Sequence, residues 1–248
     1  MLEQQKILII GANSAVARAV ARLLAPANTL YFLARDAGKL QQTLLDVGQA
    51  GAWCASADFR DIAATQQLIA RAWEAADGLD IVLIAHGLLG PQAPTEADFA
   101  LAEAVIATNF TTVVAQLIAV SRLMECRGRG KIAVISSVAG ERGRPRNYTY
   151  GAAKGALTLY LQGLRSRLWR SGVEVYTFKM GPVDSPMTHS HDKDFSFSTP
   201  ARAARIIVDT LPSRRYSRYV PGFWGPVMWV VRWLPEPAFQ RLRFLSGR

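Results

Sequence analysis

The chain has 248 residues, of which 50% are hydrophobic and 19% charged; that is ample for one full α/β core and excludes a disordered chain. Two cysteines, Cys54 and Cys126, exclude a disulfide scaffold and fit a reducing compartment. The formal charge of +10 is unevenly spread: residues 1–121 carry 7 basic and 11 acidic side chains, whereas residues 212–248 hold seven arginines against Glu236 alone. That distribution, with no recognisable binding module around it, argues against nucleic acid as a partner and for a local basic patch.

Lys6 to Ile10 is an apolar run that ends at Gly11, which reads as a buried strand and a tight turn and not as a targeting signal. Residues 14–25 have helical spacing and stop at Pro26. Residues 29–34 read as a second strand, 37–48 as a second helix, and 53–57 and 80–85 as the third and fourth strands around a helix over 61–76. A helix over 107–126 precedes a fifth strand at 131–136. Another over 150–170 precedes a sixth at 173–178, and a basic turn leads into a seventh over 214–221. Near-continuous apolar strands separated by helices predict an α/β, doubly wound (Rossmann) sheet, mostly parallel and seven-stranded, over residues 1–221. Residues 222–248 are expected to form an apolar and basic helical extension of the same domain. The longest apolar stretch, 219–234, is interrupted by Pro221, Pro226 and Arg232 and falls short of the ~20 residues of a spanning helix.

In such a sheet ligands bind beyond the carboxyl ends of the strands. The first of these ends carries Gly11-Ala12-Asn13-Ser14-Ala15-Val16-Ala17. Gly11 permits the sharp turn, and small side chains at 15 and 17 let the main chain approach a pyrophosphate at the helix N-terminus. Alanines stand where the dinucleotide fingerprint has glycines, so a turn and helix start without a ligand reads equally well. Arg35, directly after the second strand, suits the 2′-phosphate of NADP, while Asp36 suits the ribose hydroxyl of NAD; a solvated surface arginine is the alternative. Asp58, before Phe59 at the third strand end, can accept from an adenine amino group or cap the next helix.

The candidate constellation for acid–base chemistry is Ser137 with Tyr150-Gly-Ala-Ala-Lys154, for which an exposed helix pair is the alternative reading. Residues four apart share a helix face, so Tyr150 and Lys154 are neighbours. A phenol with an ordinary pKa of ~10 is a poor catalyst at neutral pH, and a nearby ammonium is expected to lower it. Ser137 can hold a carbonyl oxygen by a hydrogen bond. Tyr148 has Ala152 four residues on, so the spacing selects Tyr150.

Taken in order, these pieces resemble the short-chain dehydrogenase/reductase family over essentially the whole chain. The matching stretches are the glycine-motif remnant at 11–17, Asp58, Ala85-His86-Gly87, Asn109, Ser136 to Gly140, Tyr150 to Lys154, and Met180-Gly181-Pro182-Val183-Asp184-Ser185. The resemblance implies that Tyr150 donates the proton and Ser137 orients the substrate carbonyl. It also implies that Lys154 binds the nicotinamide ribose and lowers the tyrosine pKa, and that Asn109 holds a relay water. Cofactor contacts are implied at Gly11, Asn13, Ser14, Val16, Arg35, Asp58, Phe59, Ala85, His86, Gly87, Val183 and Ser185, besides Tyr150 and Lys154, with NADP(H) favoured over NAD(H). A homodimer or homotetramer is implied as well. The family's Asn-Asn-Ala-Gly stretch is here Ala85-His86-Gly87, which loses an asparagine, while Met180 departs from its proline and Ser185 from its threonine. His189 and His191 alternate in a substrate loop without a third metal ligand, so no metal is expected.

Residues 223–235 hold three tryptophans and an arginine between prolines, and 238–245 form a second amphipathic piece with Arg241 and Arg243. Large apolar, aromatic and basic side chains together suit a helix lying on a membrane surface; a subunit interface or a cap over the substrate pocket would use the same residues. The C-terminal half resembles a branch of the family that reduces a keto-sugar on a polyprenyl phosphate, the decaprenylphosphoryl-2-keto-ribose reductases. The expected activity is therefore an NAD(P)H-dependent carbonyl reductase or alcohol dehydrogenase for a lipid-linked or other lipid-like ketone, located in the cytoplasm at the inner face of the membrane. A reductase of a soluble small molecule, with the tail used for oligomerisation, is the first alternative. A non-catalytic cofactor-binding or scaffold protein is the second.

Overall fold

The computed structural model describes residues 2–189 and 193–242. In chain order the first half runs β1 (Lys6–Ile10), α1 (Ala15–Leu24), β2 (Thr29–Ala34), α2 (Ala37–Asp46), β3 (Cys54–Ser56), α3 (Ile62–Ala75) and β4 (Ile81–Ile84). Next come α4 (Gln92–Ala97), α5 (Phe99–Ile106), a π-helical turn (Ala107–Thr111) and α6 (Thr112–Arg127). The second half continues with β5 (Gly130–Ser137), a 3-10 turn (Val138–Glu141), α7 (Tyr148–Leu168), β6 (Val173–Met180), α8 (Pro200–Thr210) and β7 (Ser217–Val220). Two C-terminal helices follow, α9 (Trp224–Trp233) and α10 (Glu236–Arg241).

The seven strands form one sheet in the order β3-β2-β1-β4-β5-β6-β7, and every pairing is parallel. Alternation along β1 divides the core. Ile7 and Ile9 face the layer holding α1, α2 and α8, while Leu8 and Ile10 face the layer holding α3, α6 and α7. On α1 the buried residues Val16, Ala17, Val20, Ala21 and Leu24 make a single stripe, and α8 packs beside it. The chain winds outward from β1 to β3 and then returns to β4, so a crevice opens where β1 and β4 lie side by side. That is the topological switch point at which this architecture binds ligands.

Three boundaries differ from expectation for physical reasons. The expected helix at 107–126 starts instead at Phe99, where Asp98 accepts from the Ala100 amide, and it runs continuously to Arg127 through the π turn. By length and composition Phe99–Arg127 could cross a membrane, but half of its most apolar stretch is buried, with Val113, Leu117, Val120 and Met124 in the second core layer. The cap of α3 is Asp61 and not Asp58. The second C-terminal helix spans Glu236–Arg241, and its expected continuation with Arg243 lies outside the described residues, as does His191.

The C-terminal helices are part of the body. Trp224, Met228, Val231 and Phe239 are buried in a cluster with Val138, the residue after Ser137. Burying side chains of this size stabilises by roughly 1.5–3 kcal/mol each. Arg142 locks the arrangement: its Nη1 donates to the carbonyls of Val231 and Leu234 at 2.6 Å, and its Nη2 pairs with Glu236 at 2.8 Å. The guanidinium also lies 4.0 Å from the centroid of the Phe239 ring.

Candidate active site

At the switch point Gly11 has φ +85°, and a Cβ there would stand 2.6 Å from the His86 amide nitrogen. Only glycine allows β1 and β4 to end this close together. The Ser14 side chain caps α1 by accepting from Ala17, and Val16 is buried beneath it, so what these residues can offer a pyrophosphate is main-chain N–H groups. Asn13 braces the turn: its Nδ2 donates to the Asp36 carbonyl at 3.0 Å and its Oδ1 accepts from Thr43 at 3.1 Å. This fixes the end of β2 beside the turn. There the Asp36 carboxylate is occupied in capping α2, whereas Arg35 is exposed and takes part in no salt bridge among the described residues. A groove of about 570 Å³ lined by Ala15, Arg18, Asp184, Ser185, Pro186 and His189 continues from the start of α1 toward the 183–189 loop.

His86 and Phe59 fill the crevice from below. Phe59 is 3% exposed and its ring lies 4.7 Å from the imidazole, so it presents main chain and not its ring to a ligand. The Nε2 of His86 is 2.9 Å from Oε1 of Gln116, while Nδ1 of the histidine and Nε2 of the glutamine are buried without hydrogen-bond partners. Burial holds the imidazole pKa down to about 4 against the Gln116 bond, with Lys154 and Arg35 adding to the fall, so His86 is neutral at pH 7. The orphaned polar atoms and the missing Cβ at Gly11 fit a polar ligand against this crevice. Asp58 caps the Arg60 amide, and Ala85 continues the ladder by donating to Ile10.

Four residues converge at the ends of β4 and β5. Ser137 is 9% exposed; its Oγ accepts from the Ala139 amide at 3.1 Å and donates to the Met180 carbonyl at 3.3 Å. The Ser137 hydroxyl also acts to lower the pKa of the Tyr150 phenol. Ser136 points the other way, bonding the Lys154 carbonyl and Thr158 in the interior. Lys154 is 2% exposed, its Nζ donates to the Ile135 carbonyl at 3.0 Å, and it stands 5.9 Å from the Tyr150 ring centroid. Two of its three donors remain for ribose hydroxyls. Gly87 leaves space between them: a Cβ there would be 2.9 Å from Asn109 Oδ1 and 3.6 Å from Lys154 Nζ.

The electrostatics differ from the sequence expectation. Burial pushes the Tyr150 phenol up to about 12, only partly offset by Ser137, and burial brings Lys154 down to about 8. The ammonium is committed to Ile135, so desolvation outweighs it at the phenol. Asn109 also differs in detail. Both N–H groups of its amide are spent on the carbonyls of Leu88 and Val105, and Oδ1 accepts from the Leu88 amide. Ser185 is engaged as the cap of a 3-10 turn with Thr188, and Val183 bridges to Ser198, so the 183–188 loop holds itself.

Gln116 joins the site without having been anticipated, and so does Trp224 as an individual residue, though a cap over the pocket is one expectation for its segment. Gln116 had a readable signal, a polar residue on the buried stripe Val113, Leu117, Val120 of α6. Trp224 had none. Its indole lies so close to Gly181 that a Cβ there would overlap it.

The family model described as short chain dehydrogenase matches residues 5–195. An uncharacterized oxidoreductase of Mycobacterium tuberculosis is 31% identical over 239 residues, covering 95% of this chain and 96% of that protein. A short chain dehydrogenase from Burkholderia cenocepacia, solved in complex with NADP, superposes with a TM-score of 0.81 at 18% identity, over 97% of this chain and 98% of that one. An actinorhodin polyketide ketoreductase solved with NADPH gives a TM-score of 0.79 at 23% identity, over 90% and 97% of the two chains.

Proposed function

This chain belongs to the short-chain dehydrogenase/reductase family, an oxidoreductase family, and from that premise we propose that it is an NADP(H)-dependent ketoreductase of a lipid-like ketone, with Tyr150 as proton donor. The observation that carries the reading is the convergence of Ser137, Tyr150 and the buried Lys154, whose Nζ stands 5.9 Å from the Tyr150 ring centroid. When bound, a reduced nicotinamide supplies the hydride, and the chain's own residues hold the carbonyl and deliver the proton. Ser137 holds the carbonyl oxygen by a hydrogen bond. A phenol kept protonated at neutral pH is the acid form that reduction of a ketone requires, and Tyr150 gives its proton to the oxygen as negative charge develops there. Lys154 then stabilises the phenolate left behind. For the relay, Asn109 has the second lone pair of Oδ1 still to offer.

Two features support the finer reading. Arg35 is exposed beside the Asn13–Asp36 brace while Asp36 is spent on a cap, which favours a 2′-phosphate over a bare ribose. The outer face of α9 shows Trp229 at 66%, Trp233 at 73% and Val230 at 49% exposure, within a segment whose sole acid, Glu236, is paired with Arg142. Apolar side chains in a segment rich in arginine complement an anionic lipid surface, where a polyprenyl-linked keto-sugar or another lipid-like ketone would be met. The test is ketone-dependent oxidation of NADPH and of NADH by wild type, Tyr150→Phe and Arg35→Ala. Tyr150→Phe is expected to lower kcat about 10²–10⁴-fold, and Arg35→Ala to raise KM for NADPH alone. Unchanged turnover in Tyr150→Phe would remove the proposed role.

A further inference from the structure

The helix that carries Tyr150 and Lys154 begins without a cap of its own. Asn147 stands at the N-cap of α7, where an asparagine ordinarily accepts from the first turn, yet its side chain makes no such bond. The acceptor comes from another element. Oε1 of Gln92, the first residue of α4, accepts from the Thr149 amide at 3.1 Å, across 57 positions of chain. A main-chain N–H can only donate, so this contact orients the side-chain amide. The Nε2 of Gln92 is then left to donate to the Thr149 hydroxyl and to Glu96 Oε1, each at 3.3 Å. Thr95 closes the circuit. Its hydroxyl donates to the Gln92 carbonyl at 2.6 Å and has no proton left for Thr149, whose Oγ1 lies 3.2 Å away. The Thr149 hydroxyl is therefore the donor of that pair. A one-way ring runs from the Gln92 amide to Thr149, on to Thr95 and back to the Gln92 carbonyl, and the burial of Thr95 shields it on one side.

The neighbours of this ring say what it does. Tyr150 follows Thr149 directly, in the same first turn of α7. At the other end of the segment the Asn109 side chain grips Leu88 through both its main-chain amide and its carbonyl. Residues 88–95 thus run as a strap from Asn109 to the turn that holds Tyr150, stiffened by Pro91 and Pro94. We infer that Gln92 is a positioning residue: it supplies the cap that α7 lacks and so sets the Tyr150 phenol against Ser137. The cap is independent of any reaction; the positioning role rests on the reading of Tyr150 as proton donor.

Gln92→Leu keeps the bulk of the side chain and removes its donors and its acceptor, whereas Gln92→Glu keeps the acceptor. Amide exchange of residues 148–152, read by mass spectrometry on the full chain without substrate, is expected to be about tenfold faster in Gln92→Leu and close to wild type in Gln92→Glu. Turnover is read with NADPH and the ketone that wild type reduces fastest. Gln92→Leu is expected to lose about tenfold in kcat with KM for NADPH unchanged, and Gln92→Glu to recover most of that loss. Equal exchange in wild type and Gln92→Leu overturns the cap. Faster exchange with an unchanged kcat overturns the positioning role. Wild-type turnover in Tyr150→Phe would strike the proton-donor reading and the positioning role with it, while the exchange rates still decide the cap.

Discussion

Lys154 sits where two demands conflict. In the proposed reduction its ammonium must be charged to stabilise a tyrosinate, yet burial brings its pKa down to about 8. Above that value the charge is lost, while the phenol, pushed up to about 12, stays protonated. Ketone reduction at saturating NADPH is therefore expected to decline as pH rises through about 8, because each newly formed phenolate then faces a neutral amine. A steady-state profile of kcat between pH 6 and 10 measures this, and a flat line to pH 10 would show that Lys154 keeps its proton throughout. Most of the candidate site is legible in the sequence, since Ser137, Tyr150 and Lys154 are picked out by their spacing on one strand end and one helix. Their protonation is not legible, because it depends on the Ile135 carbonyl and on burial, both of which are products of tertiary packing.

The strands are legible because each is a nearly unbroken apolar run, as parallel strands covered on both faces must be. The turn at Gly11 is marked by its residue type. The stretch 91–106 is not legible: Pro91 and Pro94 read as loop, and Asp98 as a start signal is outweighed by them. For α9 a cap over the pocket is among the sequence expectations, but the pairing of Trp224 with Gly181 has no sequence signal. Arg142 is the element-scale counterpart of a helix cap, closing the carbonyl end of α9 from another part of the chain. Arg142→Ala leaves those carbonyls and Glu236 without their partner, and a loss of about 2–4 kcal/mol is expected. Urea unfolding reads the loss, and limited proteolysis should find residues beyond 221 cut first. Resistance equal to wild type would mean that α9 is held by the Val138 cluster alone.

For the whole molecule the charge of +10 resolves into a mildly acidic first half and a basic region around α9, with Trp229 and Trp233 outward and Met228 inward. Binding to vesicles containing anionic lipid is expected to exceed binding to neutral vesicles, to fall with added salt, and to drop about tenfold in Trp229→Ser/Trp233→Ser. Equal sedimentation with both kinds of vesicle would remove the membrane reading, and a change of molecular mass in the double variant would assign the face to a second subunit. Deleting residues 222–242 is a poor substitute for these surface changes, since it would uncover Val138 and unseat Trp224 from Gly181.

That seat of Trp224 also sets a timetable for the protein's birth. On the ribosome every strand has been made before α9 is, so the sheet can assemble while the floor beside Ser137 is still missing. The nascent chain should therefore acquire its fold earlier than its activity, and turnover should begin only after Phe239 has emerged to close the last cluster.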